Sequence, residues 1–491
     1  MRHRGWLLLL IVIAGLGVRI AYLAADPHGV RAETIDGEIA RNIVAGRGLV
    51  INENATRYVF SLYQREHRQI DPASVDYASL DRHPLWRPEI VEPVGAAVLL
   101  AGLWEITGSE HYLQLQIVQI LIDALMALLV YRIAMRLFER PGAAVLAAVL
   151  YILYPPIAWQ STLPSLDIWA VDFTIAILAL YLEAISAPRP WRWLLACGMT
   201  AGVAAYFRPT LLVLPAALAL VTLPGIGWRD ALRRGFLTTM VAAVFLIPWV
   251  IRNYNEFHVF IPLRGGLGET LWDGLGESHN NFGATENLYT TAAEVKRLHP
   301  ELVYESPAWD SLLTHWSVDA IKRHPGYYLA GVARRTARST FLLYDSGWMH
   351  RGTKLPFTYP AGSGSGSLAL RARGGSSLLG FVVDHPLDTA QDALQSLVFL
   401  LAMLALGLSW RGRRRRHAVM LMVLLLALAP YLLIHVEPRY LLPTAVLYMI
   451  WVGLGLDLLV SRVRSRSSRR VPAEAVPALL VRSPEESLRD R

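Results

Sequence analysis

Ten apolar stretches, set apart by clusters of arginine, constrain this chain more than any single motif does. They run over 5–24, 113–131, 142–160, 167–186, 193–207, 209–224, 236–254, 393–410, 418–435 and 440–461. Several reach the roughly 17–25 apolar residues that carry an α-helix across a bilayer. They are continuous rather than alternating, which argues against a β-barrel. With 54% hydrophobic residues and a mean hydropathy of +0.35, the chain is too apolar for an ordinary soluble enzyme. The fold class expected is an all-α polytopic membrane protein of about ten helices.

Charge orders the spans. Arg2 and Arg4 precede the first. Arg132, Arg136 and Arg140 follow the second, and Arg189 and Arg192 the fourth. Arg229, Arg233 and Arg234 follow the sixth, Arg411 and Arg413 to Arg416 the eighth, and Arg462 and Arg464 the tenth. Every even-numbered exit is basic, as cytoplasmic loops are, which puts both termini inside. The net charge of +8 is explained by this topology and not by a nucleic-acid partner. Cys197 is the only cysteine, so no intramolecular disulfide forms. The N-terminal apolar run is long and many spans follow it, so it reads as a retained helix and not a cleaved signal.

The outer loops are unequal. An N-terminal membrane module, 1–254, carries a long first loop over 25–112, rich in charge and aromatics. Within it, 94–103 is apolar but too short to span and reads as an interfacial or re-entrant segment. The loop over 255–392 is the only one large enough for a soluble subdomain. It holds helix-like stretches over 309–322 and 327–343, then Gly/Ser-rich stretches at 362–367 and 374–377 that read as linker. Three closing spans fill 393–461, and 462–491 reads as a disordered cytoplasmic tail.

Polar motifs gather at the outer face. The first loop opens on Glu33-Thr-Ile-Asp36-Gly-Glu38. Paired carboxylates suit base catalysis or oxygen coordination of a divalent metal. Equally, Asp36 stands where it would cap a helix ending near Gly46. Asp167 lies at the outer end of the fourth span, and Asp123 and Asp172 lie within spans. Outer ends should be poor in arginine, yet Arg87, Arg208, Arg252 and Arg439 all sit there, each beside a proline or aromatic residue. Arginine makes forked contacts with phosphate, so the set, with Tyr440, reads as a phosphate site; taken singly, each arginine also fits snorkelling to lipid head groups. Asn253, Tyr254, Trp272 and His435 accompany these motifs as substrate-loop candidates, Trp272 as a stacking surface for a sugar. Asn54-Ala-Thr56 matches a glycosylation acceptor by spacing alone.

The ordered set resembles the GT-C glycosyltransferases of the protein O-mannosyltransferase and lipid A aminoarabinose transferase type. The residues that carry it are Asp36 to Gly48, Arg87-Pro88, Arg208-Pro209, Pro248-Trp with Arg252-Asn-Tyr254 and Pro262, and Arg439-Tyr440 with Pro443. The resemblance implies a multispanning enzyme of a bacterial plasma membrane with its site on the outer face. It implies a polyprenyl-phosphate sugar donor and a lipid, glycan or protein acceptor. It makes Asp36 the catalytic carboxylate, with Glu38 nearby and Asp167 as the second-loop acid, and gives the donor phosphate to the outer arginines. The chain departs from the family after Arg87-Pro88, where Glu89-Ile-Val-Glu92-Pro93 replaces the usual Pro-Gly-Tyr-Pro. An inverting transferase that needs no cofactor is therefore expected, with a divalent metal left open. The alternative is a transporter or flippase of lipid-linked sugars, which needs polar residues through the membrane; here Asp123 and Asp172 are the chief ones.

Overall fold

The computed structural model describes residues 2–25, 35–53, 83–164, 166–221, 227–285, 288–340 and 386–469. Glu33, the triplet at 54–56, the Gly/Ser stretches and the tail beyond 469 lie outside them. A helix stands at each place where a span was expected. These are α1 (Arg2–Ala25), α4 (Leu113–Phe138), α5 (Pro141–Leu153) with the short α6 (Pro155–Gln160), α7 (Asp167–Ser186) and α8 (Pro190–Ala204). Then come a 3-10 turn (Pro209–Val213) leading into α9 (Leu214–Val221), α10 (Trp228–Phe257), α15 (Pro386–Leu433) and α16 (Leu442–Arg469). Among the described residues, six stretches are long and apolar enough to cross a membrane: Gly5–Ala25, Leu113–Phe138, Asp167–Ser186, Trp228–Phe257, Ala393–Leu433 and Arg439–Ser465. The chain is a polytopic helical membrane protein.

Three boundaries differ from expectation. The span over 142–160 breaks at Tyr154, whose extended backbone (φ −72°, ψ 110°) is what Pro155 imposes on its predecessor. The expected spans over 393–410 and 418–435 belong to one long run, divided where Arg413 leaves helical geometry amid its arginine neighbours. Residues 462–469, expected in a disordered tail, continue α16 as helix. Arginine is a good helix former and its charge suits a helix C-terminus.

Small residues let the helices approach closely, as bilayer packing requires. Ala143, Ala144, Ala147 and Ala148 of α5 are fully buried. A Cβ on Gly453 of α16 would stand 2.7 Å from the Ala147 nitrogen. One charged joint crosses this core. Arg19 of α1 pairs with Asp123 of α4, which also accepts a hydrogen bond from Tyr151 of α5, and Asp172 of α7 faces the same group. Asp123 thus has a partner for its charge, which a buried carboxylate needs.

Four further helices, between α10 and α15, form a subdomain: α11 (Leu267–Gly276), α12 (Leu288–Leu298), α13 (Pro307–Arg323) and α14 (Pro325–Thr340). It has its own core of Trp272, Leu275, Val295, Trp309 and Leu313. The remaining helices and strands belong to the segment between α1 and α4. They are α2 (Ile35–Val44), α3 (Gly95–Thr107), and strands β1 (Val50–Asn52) and β2 (Trp86–Pro88). The strands pair antiparallel with Ile51 opposite Arg87. The apolar segment expected to be too short to span is α3, at 13 residues.

Candidate active site

Asp36 is carried by α2. That helix buries Ile39 and Ala40 completely and ends at Gly46, whose positive φ of 73° suits glycine. Asp36 therefore lies in the first turn and not at the cap. Its Oδ1 is buried without a hydrogen-bond partner. Burial first, and then the charges of Glu92, Asp167 and Glu89, push its carboxyl well above the usual range. Glu38 does a different job. Its carboxylate accepts the Asn52 N–H at 2.5 Å, while Asn42 Nδ2 donates to the Val50 carbonyl at 2.7 Å. Together they tie α2 to β1 and so fix where Asp36 stands.

The neighbour of Asp36 admits no side chain. A Cβ on Gly37 would lie 1.7 Å from the Tyr112 hydroxyl oxygen. Gly37→Ala is expected to shift α2, to cost about 1–3 kcal/mol of stability and to lower activity sharply. Adding Tyr112→Phe should recover part of both. Thermal unfolding and turnover of the single and double variants check this; a fully active Gly37→Ala protein would contradict it.

Asp167 opens α7 and faces two arginines. Arg208 Nη2 donates to its Oδ1 at 2.6 Å, and Arg439 Nη1 is 3.7 Å from its Oδ2. Arg208 precedes Pro209, which holds it extended at φ −146°, ψ 98°, a short turn beyond the end of α8. Its guanidinium sits 4.4 Å from the Tyr440 ring centroid, and Tyr440 stacks on Tyr431 at 4.7 Å. Arg439 is gripped by Glu437, at 2.8 Å from Nε to Oε2, and Tyr440 donates to the same carboxylate at 2.8 Å. Burial works against charge on Glu437, but Arg439 and His435 outweigh it and hold this carboxyl at about 2. Beside Arg208, Tyr431 and Tyr440 opens a small cleft of about 20 Å³ whose remaining walls include Leu211, Val213, Leu214 and Leu426. Besides that arginine and the two tyrosines, Thr174 and Thr210 are its polar lining, and the rest is apolar.

Glu92 bridges the two halves. Burial raises its carboxyl, Arg264 pulls it down, Glu89 raises it, and Arg439 and Arg208 pull it down. Glu89 is spoken for: one oxygen accepts the N–H groups of Ile90, Val91 and Glu92 at 2.9, 2.5 and 2.8 Å. Among the described residues, no three His, Cys, Asp or Glu side chains are gathered around a position for one metal ion.

Two of the four arginines expected at a phosphate are committed elsewhere. Arg87 pairs with Glu305, lies 3.9 Å from Glu89 and stacks over Tyr304. Arg252 donates to the backbone carbonyls of Glu89 at 2.6 Å and Leu49 at 2.9 Å and packs on Trp249. Both serve the loop scaffold, Arg87 through its ion pair with Glu305 and Arg252 through two backbone carbonyls. Asn253 is buried and holds the Ile261 carbonyl at 3.0 Å; Tyr254 is exposed. The sugar-stacking expectation for Trp272 is corrected: it is 6% exposed, with Trp316 and Phe282 against its ring in the subdomain core. His435 bonds Glu277 at 2.9 Å. Arg264, Glu305, Tyr431 and Glu437 were not singled out from the sequence. Only Glu437 carried a signal, being within the same short stretch as His435 and Arg439.

The segment that places Asp167 and Arg208 also carries the sequence likeness. Residues 91–251 match the family of dolichyl-phosphate-mannose-protein mannosyltransferases. The resemblance read from the motifs is thus found independently over α3 to α10, whereas Asp36, Arg87 and Arg439 lie outside the matched stretch. An undecaprenyl phosphate-alpha-4-amino-4-deoxy-L-arabinose arabinosyl transferase of Pseudomonas paraeruginosa is 28% identical over 211 residues, covering 35% of this chain and 37% of that one. The enzyme of the same name from Pectobacterium atrosepticum is 28% identical over 213 residues, covering 38% and 37%. The chain thus matches a little over a third of the length of these curated relatives. Among solved structures, the Archaeoglobus fulgidus oligosaccharyltransferase in complex with an inhibitory peptide and a dolichol-phosphate aligns over 95% of this chain and 52% of its own, at 15% identity and a TM-score of 0.49.

Proposed function

We propose that the protein is an inverting glycosyltransferase that moves a sugar from a polyprenyl phosphate to a hydroxyl of a lipid, glycan or protein, at the outer face of a bacterial plasma membrane. The observation that carries this reading is an unpartnered, buried Asp36 oxygen within electrostatic reach of Asp167, which in turn pairs with Arg208 and faces Arg439, beside a cleft lined by Arg208, two tyrosines and apolar residues. The apolar walls beside Arg208 suit contact with an isoprenoid chain lying in the bilayer, and the two arginines suit the phosphate at its head. Asp36 takes the acceptor hydroxyl proton. The acceptor oxygen bonds the anomeric carbon, and the bond from that carbon to the phosphate oxygen breaks, its electron pair leaving with the lipid phosphate. Arg208 and Arg439 stabilise that charge as it develops. A carboxyl raised toward the working pH is a stronger base than an ordinary one.

An assay with undecaprenyl-phosphate-linked, radiolabelled sugars tests the proposal. Transfer of label to an acceptor supports it; label crossing a vesicle uncleaved supports a flippase instead. The rate should rise with pH as Asp36 ionises. Glu92→Gln removes one of the charges that raise Asp36, so this acid limb should move to lower pH. An unmoved limb would separate the limb from Asp36.

A further inference from the structure

We propose that the subdomain sets the position of Arg439 through a clamp on residues 432–437, in which Glu277 and His435 are positioning residues. This rests on the reading of Arg439 as a ligand of the donor phosphate.

The clamp begins where α15 ends, at Leu433. The last carbonyls of a helix lack intrahelical partners. Here the subdomain supplies them. Arg335 Nε of α14 donates to the Leu432 carbonyl at 2.8 Å, and Tyr328 Oη donates to the Leu433 carbonyl at 2.9 Å. A cation at a helix C-terminus also complements its dipole. The third grip is a close approach: a Cβ on Gly274 of α11 would stand 1.8 Å from the Ile434 carbonyl oxygen. Only glycine lets α11 lie against that backbone.

From there the link is polar, closing through hydrogen bonds and then through longer ion-pair contacts. Arg335, 1% exposed, also reaches the Gly274 carbonyl at 3.1 Å and Glu277 at 3.3 Å. The other oxygen of Glu277 bonds His435 Nδ1 at 2.9 Å. His435 Nε2 stands 4.0 Å from Glu437, which grips Arg439. Arg439 then faces Asp167. An arginine side chain is long and has many rotamers, so holding it against a phosphate requires such a partner. Glu437 is that partner, and His435 orients Glu437.

The link is sensitive to protonation. The groups that bear on His435 are Glu277 and Asp273 from the subdomain and Glu437 from its own loop, with Arg335 behind Glu277. Burial opposes charge on the imidazole, but the bond to Glu277 and these acids outweigh it, so the charged form is favoured. Charged, His435 carries N–H on both ring nitrogens: Nδ1–H donates to Glu277, and Nε2–H faces Glu437 at 4.0 Å, where it acts by charge and not through a hydrogen bond. Neutral, with Nδ1–H kept on Glu277, it turns a lone pair toward Glu437 and the grip on Arg439 loosens.

Binding of labelled undecaprenyl phosphate to the purified full chain tests this, because it needs no knowledge of the sugar. Glu277→Gln should weaken binding on the order of tenfold, the scale of one charged hydrogen bond. Wild-type affinity should fall as pH rises through the deprotonation of His435. In Glu277→Gln that fall should move to lower pH, and in His435→Gln it should vanish. If Glu277→Gln does not fold, Tyr328→Phe removes only the Leu433 carbonyl's partner and should weaken binding about two- to threefold. Unchanged affinity and unchanged pH dependence in these variants overturn the clamp, as does a lowered melting temperature with no change in either. Arg439→Gln separates the two readings. If it weakens binding while the clamp variants do not, only the clamp fails; if it does not weaken binding, the phosphate reading fails and takes the clamp with it.

Discussion

Asp36→Asn is expected to lower transfer by roughly 10²- to 10⁴-fold, the usual contribution of a positioned base, while leaving the protein at least as stable as before. The two effects should part because the carboxylate is badly placed for stability. Its Oδ1 is buried without a partner, and Glu92, Asp167 and Glu89 all repel its charge. An amide of the same shape removes the repulsion and keeps the packing, so the melting temperature should hold or rise. Affinity for the lipid phosphate should hold or tighten as well, since one negative charge has left the site. Stability gained with activity lost is the mark of a group kept for chemistry. A carboxylate kept as a helix-start residue predicts the opposite, a less stable and still active protein. Turnover, melting temperature and undecaprenyl phosphate binding on one preparation of each protein decide between them. Transfer above a tenth of the wild-type rate would end the assignment of Asp36 as base.

What the sequence made legible follows from the range of the physics involved. Crossing a bilayer is decided locally, by length and apolarity, so the spans were readable one at a time. Proline acts on its immediate predecessor, so the breaks at Tyr154 and Arg208 were within reach of the same reading. The site is another matter. Arg208, Arg252 and Arg439 look alike in sequence, each beside a proline or an aromatic ring. What separates them is a partner far along the chain: Asp167 for two of them, and the carbonyls of Leu49 and Glu89 for the third. Arg87 was similarly opaque, because Glu305 lies 218 residues away. Trp272 shows the limit from the apolar side. A tryptophan near glycines reads as a stacking surface until Trp316 and Phe282 are found against it. Glu89 and Glu92, where the chain departs from the family's pattern, remained unexplained acids until the structure turned one onto three backbone N–H groups and the other toward Arg264.

The arginine that pairs most closely with Asp167 gives the second large expected effect. Arg208→Gln leaves Asp167, a side chain 4% exposed, with only Arg439 at 3.7 Å. Removing one partner of a buried pair costs about 3–5 kcal/mol, because the remaining charge is stranded. The single variant should therefore be both inactive and unstable, and by itself would say nothing about phosphate. Asp167→Asn combined with Arg208→Gln removes the stranded charge and should restore most of the melting temperature. If Arg208 serves only to neutralise Asp167, the double variant should also recover affinity for undecaprenyl phosphate. If it holds the donor, affinity should stay weaker by roughly 10- to 100-fold, the range for a lost charge-assisted contact. Arg208→Lys refines the answer. It keeps the charge beside Asp167 but loses the forked donors and much of the packing on Tyr440, whose ring centroid lies 4.4 Å from the guanidinium. A lysine that restores stability and not affinity would assign the fork, rather than the charge alone, to the phosphate.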